Sequence, residues 1–189
     1  MNKYQLIVSV LLSTSTLAWA GPKQKKVDNW IDASVKAKTE LQEKLKKAGM
    51  PVISQWMKHK QKAQPFTVDV KGLDKLVLVT AGGPDGTDYD QAVRANARLI
   101  KADGTAVWLD QIPYEYGVAG WAKPKMNTNA YDHEIFIAGK EYKHGVFCHA
   151  NGTLVYPLNG EYVRFEAEVG IDDTSQGGSV FFQALNVMP

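Results

Sequence analysis

Past Pro65 the chain breaks into short runs that alternate apolar and polar residues, and this alternation limits its fold more than anything else in the sequence. Gly145-Val146-Phe147-Cys148-His149-Ala150-Asn151-Gly152-Thr153-Leu154-Val155-Tyr156 is one such run, and Tyr162-Val163-Arg164-Phe165-Glu166-Ala167-Glu168-Val169-Gly170-Ile171-Asp172-Asp173 is another. A period of two predicts half-buried strands whose ends deliver polar groups into loops. One loop begins at His149 and Asn151, the other at Asp172 and Asp173. In all, strands are expected at 66–70, 75–80, 95–101, 105–110, 134–138, 143–150, 153–157, 161–171 and 178–187, with Asp103-Gly104, Asn159-Gly160 and Ala138-Gly139-Lys140 as tight turns. Many short strands at regular spacing predict an all-β sandwich.

Upstream of Gln64 the composition differs. Val27, Ile31, Val35, Leu41, Leu45 and Ala48 recur at mostly helical spacing, with aspartates at the start and lysines at the end, as the helix dipole favours. Gly49 and Pro51 end that element, and Val52, Ile53, Trp56 and Met57 predict a shorter helical piece from Pro51 to about Lys62. Before it, Lys3, the apolar run Leu6–Leu12 and Ala18-Trp19-Ala20 have the form of a secretory signal peptide cleaved after Ala20. The expected organisation is a signal peptide over 1–20, a helical segment and linker over 21–64, and a β-sandwich module over 65–189. The product is expected in the periplasm or outside the cell.

Composition excludes several function classes. The single cysteine, Cys148, allows no internal disulfide framework, so stability must come from a core, in which Cys148 itself acts as a small apolar residue. The net charge of +2 and the absence of a basic motif point away from nucleic acid. His144 and His149, five apart on a strand, face opposite ways and cannot share a zinc ion. There is no nucleophile elbow, phosphate loop or dinucleotide fingerprint, and the chain is too short to frame a glycosidase cleft beside the sandwich. The protein is therefore expected to be no enzyme.

The segment Gly145–Tyr156, together with Tyr162–Asp173 and Gly178-Ser179-Val180-Phe181-Phe182, resembles the NPCBM family of carbohydrate-binding modules. The resemblance covers Phe66 to the C-terminus and includes Val107-Trp108-Leu109-Asp110-Gln111-Ile112 and Gly120-Trp121. It implies a galactose-binding-domain-like sandwich of jelly-roll type that binds galactose-type sugars and accompanies glycosidases. The closing strand pair of the family, here Phe66–Val70 and Leu73–Val79, comes first instead of last. The chain thus looks like a circular permutation or a fragment of a tandem array, and either requires Phe66–Val79 to lie beside the last strand. Family members commonly carry tryptophan at the place of Arg94, so Arg94 marks either an altered surface or a shifted specificity.

Sugar recognition needs an aromatic face and rigid polar groups. The long loop Ile112–Tyr131 supplies Tyr114, Tyr116, Trp121 and Tyr131, with Asn127 and Asn129. The expected ligand-binding residues are Trp121 as the stacking platform, His149 and Asn151 as hydroxyl partners, and Asn127, Asp172 and Arg94 around them. Asp85, Asp88 and Asp90 crowd one loop with oxygen ligands suited to a structural calcium, the alternative being turn aspartates that bond their own backbone. Three readings of function follow: a carbohydrate-binding module, a structural or protein-interaction module of a surface assembly, and an accessory fragment of a glycoside hydrolase.

Overall fold

In the computed structural model, residues 53–185 are described, and they lie within one compact unit that begins at Val52. The expected signal peptide over 1–20 and the helix expected over 28–50 lie outside the described residues. Thirteen strands run in chain order: β1 (Ile53–Lys58), β2 (Gln64–Asp69), β3 (Lys75–Gly82), β4 (Ala92–Lys101), β5 (Ala106–Trp108), β6 (Tyr116–Val118), β7 (Lys125–Met126), β8 (Ile135–Ile137), β9 (Lys140–Tyr142), β10 (Gly145–Phe147), β11 (Gly152–Pro157), β12 (Tyr162–Ile171) and β13 (Ser179–Leu185). The described residues hold no helix beyond a single 3-10 turn at Leu109–Gln111, and none long and apolar enough to cross a membrane.

Two antiparallel sheets form the sandwich, one ordered β1-β13-β3-β11-β6, the other β2-β12-β4-β10-β7 with β5 added beside β4. Successive strands β1 to β4 alternate between the sheets, as do β10 to β13, and early strands pair with late ones. That is the double-sheet wrapping of a jelly roll. The expected neighbour of the C-terminal strand is present: β3 runs beside β13 in the register Val180↔Gly82 to Leu185↔Val77. Inner faces bury Leu76, Leu78, Leu154, Tyr156 and Phe182 from one sheet against Phe66, Val68, Leu99, Phe165 and Val169 from the other.

Three departures from sequence expectation have physical causes. The stretch read as a short helix is strand β1, paired with β13 from Ile53↔Ala184 to Lys58↔Ser179. Its apolar spacing suits a helix locally, but the unpaired edge of β13 recruits it, and Trp56 meets Phe181 with ring centres 4.3 Å apart. The second departure is Arg94, which lies fully buried between the sheets instead of on the surface. A bulge in β4, where Glu166 faces Arg98 but Glu168 faces Ala95, and where Asn96 takes φ 49°, inverts the alternation. Arg94 therefore points inward although Arg98, four residues on, faces out to Glu166. Third, the loop Ile112–Tyr131 contains two short strands, β6 and β7, added at opposite sheet edges.

On the outer face of the second sheet, the hairpin β8–β9 covers a smaller core of Val93, Ala95, Ala130, Ile135, Ile137, Tyr142 and Phe147. Ala138 (φ 49°) and Gly139 (φ 79°) form its expected tight turn. Ile135 and Ile137 fit because Gly145 and Gly170 have no side chains there: a Cβ on either would come 2.6 Å from an isoleucine carbon.

Candidate functional site

The cleft at one end of the sandwich is built by loops that the sheets hold in place. Between β3 and β4 come Thr87, Asp88, Tyr89 and Gln91; between β6 and β7 come Gly120 and Trp121; Tyr131 precedes β8; His149 and Ala150 lie between β10 and β11. Together they line about 490 Å³ of open space. Trp121, Tyr131 and Tyr89 are 48%, 51% and 50% exposed, unusual for rings this large, so three aromatic faces remain uncovered at one opening.

Trp121 owes its place to the glycine before it. The Gly120 amide donates to the His149 carbonyl (3.2 Å), and a Cβ at Gly120 would come 2.5 Å from the Asn151 nitrogen. Only a residue without a side chain allows that backbone approach. The indole then meets the His149 ring edge-to-face at 5.7 Å and the Tyr131 ring at 6.0 Å, tilted by 58°. His149 is nearly buried, and its Nδ1 lies 2.6 Å from the Ala150 carbonyl oxygen. A carbonyl only accepts, so Nδ1 is a donor here, and the tautomer protonated at Nδ1 alone leaves Nε2 as an acceptor.

Asn129 folds the loop that carries Tyr131: its Oδ1 accepts from the amides of Tyr131 (2.9 Å) and His133 (3.2 Å), and its Nδ2 donates to Glu134 and to Asp172. Asp172, expected at the ligand, is instead a buried hub that also accepts from the Phe136 and Thr174 amides. Its neighbour Asp173 accepts from the Ala138 and Gly139 amides, pinning the β8–β9 turn. A buried carboxylate is stable there because several backbone donors satisfy it.

Of the expected ligand residues, the structure brings together Trp121 and His149. Asn151 is exposed beside them, its Oδ1 accepting from the Gly82 amide (3.0 Å). Asn127 lies elsewhere, in a left-handed turn (φ 63°), accepting from the Gly145 amide. Arg94 is remote from the surface, donating to the Thr80 hydroxyl (3.0 Å) and the Val79 carbonyl (2.8 Å), with Phe182 5.1 Å below its guanidinium. Burial holds its pKa down to about 10. Cys148 is a core residue as expected, its thiol pushed up to about 11 by burial.

The three loop aspartates divide their roles. Asp85 bonds the Ser179 hydroxyl, Asp88 lines the cleft, and Asp90 is fully buried, accepting from the Ser179 amide (2.9 Å) with its second oxygen unpartnered. Burial pushes the Asp90 carboxyl up to about 7, and the charges of Asp85 and Asp88 push the same way. No group of three His, Cys, Asp or Glu side chains among the described residues is placed to hold a metal ion, so the calcium expectation at this loop finds no ligand set. Sequence reasoning missed Tyr89, Thr87 and Gln91 as cleft residues; the only signal was an aromatic ring set between two acidic residues.

Flat aromatic faces beside acceptors at Asp88, Gln91 and His149 suit a small, hydroxyl-rich ligand with one apolar side. Comparison with known proteins agrees with that chemistry. The sequence profile of the NPCBM/NEW2 domain matches residues 29–100 and 105–186, two adjacent segments whose described strands interleave in both sheets of one sandwich. No curated protein matches the chain. The crystal structure of SPBc2 prophage-derived protein YomS is similar over 71% of this chain and 94% of that one, at 11% identity and a TM-score of 0.32. With most of its length matched by the profile, the chain belongs to the NPCBM/NEW2 domain family, a family of carbohydrate-binding modules.

Proposed function

We propose that the protein is an exported, non-catalytic module that binds galactose-type glycans in the Trp121 cleft, presenting itself or a partner glycoside hydrolase to that glycan. The observation that carries this reading is Trp121, a half-exposed indole held between Tyr131 and His149 at the mouth of the cleft. The indole takes the C–H face of a pyranose, while Asp88, Gln91 and the Nε2 of His149 accept from its hydroxyls. Galactose suits such a site because its axial hydroxyl leaves one continuous apolar face for the ring. Export rests on the signal-like residues 1–20.

Calorimetric titration of the full protein with galactosides tests it. Trp121→Ala removes an interaction of about 1–3 kcal/mol, a weakening of about tenfold or more, with folding retained because the ring is half exposed. Unchanged affinity in both Trp121→Ala and His149→Ala would place the ligand elsewhere.

A further inference from the structure

The carboxylates around this cleft lack compensating charge. Among the described residues no lysine or arginine lines it, and none of Asp85, Asp88 and Asp90 takes part in an ion pair. Asp88 is exposed at the cleft wall and makes no hydrogen bond within the described protein, while the fully buried Asp90 beneath the same loop keeps one oxygen unpartnered. The mutual repulsion of these groups is part of what raises Asp90. The same cleft is lined by the three half-exposed rings of Tyr89, Trp121 and Tyr131. An aromatic face is negative at its centre and attracts cations, most strongly when the ring is an indole. Rings and carboxylate thus favour the same ligand charge.

We infer that the sugar taken by this cleft carries a free amino group, a hexosamine residue whose ammonium sits between Asp88 and the Trp121 and Tyr131 rings. This rests on the carbohydrate reading above and sharpens it. An N-acetylated hexosamine loses the charge, and a uronic acid brings a further carboxylate to a loop that already holds three. The ammonium is the one substituent that gains a charge-assisted hydrogen bond and a cation–π contact together.

The experiment uses the full chain and four methyl glycosides that share one ring and differ in one substituent: galactoside, galactosaminide, N-acetylgalactosaminide and galacturonide, with the corresponding glucose series alongside. Affinities are read by calorimetry for the wild type and for Asp88→Asn, at low and at high salt. The amino sugar is expected to bind about tenfold more tightly than its neutral parent, a difference of about 1.4 kcal/mol. The advantage should shrink with salt and disappear in Asp88→Asn, whose exposed position leaves the fold intact. Equal or tighter binding of the neutral, acetylated or acidic sugar overturns the inference and leaves the carbohydrate reading standing. A preference for the amine that survives Asp88→Asn overturns it as well, because the cleft carboxylate is then not its source. Binding of no sugar in either series removes both.

Discussion

Gly120 rests against the peptide that joins Ala150 to Asn151, so near that a Cβ would lie 2.6 Å from the Ala150 carbonyl carbon. Backbone cannot yield as a flexible side chain does, so Gly120→Ala must push the Trp121 loop away from His149. The expected outcome is a stability loss of about 1–3 kcal/mol and weakening of galactoside binding comparable to that of Trp121→Ala. Calorimetry beside thermal unfolding checks both, and full affinity in Gly120→Ala would show that the loop is not what positions the indole.

Asp90 ties stability to pH. Its carboxyl sits near 7 in the folded chain against an ordinary value of 3.8, so between these values the folded state holds a proton that the unfolded state has released. Its contribution is therefore fully present below about 3.8 and is lost as pH rises through about 7. Asp90→Asn, which mimics the protonated form, should match the wild type at the acid end and exceed it above pH 7, by on the order of 1 kcal/mol or more. Unfolding midpoints of both proteins across that range decide it; a pH-independent gap would mean the group ionises normally.

Among the described residues Arg94 has no carboxylate partner for its charge between the sheets, and its Nε makes no hydrogen bond. Buried charge that nothing compensates is costly, and an apolar residue of similar length keeps the packing on Phe182. Arg94→Met is expected to leave stability unchanged or raise it by about 1–4 kcal/mol. Urea denaturation measures this. A loss instead would show that the bonds to Thr80 and Val79 outweigh the desolvation.

The position of β1 makes truncations unequal. A deletion through residue 51 leaves the edge of β13 covered; a deletion through residue 62 removes β1, exposing Phe181 and the strand's free backbone groups. The longer deletion is expected to aggregate or melt at lower temperature than the shorter one. Light scattering and thermal melts of the two truncations distinguish them.

Nine strands were legible because local apolar patterns mark them and the turns carry Asp103-Gly104, Ala138-Gly139 or Asn159-Gly160; the pairing of β3 with β13 was legible through the resemblance, whose closing strand pair comes first in this chain. The juxtaposition of Trp121 with His149 was legible through the resemblance. What was not legible depends on partners remote in sequence. Ile53, Trp56 and Met57 satisfy a helical spacing until β13 offers an edge. Arg94 shares its parity with the outward-facing Arg98, and nothing local announces that a bulge at Asn96 changes the phase between them. Asp172 and Asn127 have the residue types of a ligand site, yet neighbouring backbone amides use their acceptors first.

The β8–β9 hairpin is held to the module from beneath: Asp172 and Asp173 grip the amides of Phe136, Ala138 and Gly139, the notches over Gly145 and Gly170 receive Ile135 and Ile137, and Lys140 and Tyr142 bond Glu168. The side chains at its outward positions, among them the exposed Phe136, Glu141 and Lys143, take no part in these anchors. Evolution can rewrite that outer surface without loosening the attachment, while the two glycines beneath are nearly fixed. The hairpin is thus a ready platform for grafting new surface chemistry onto the sandwich.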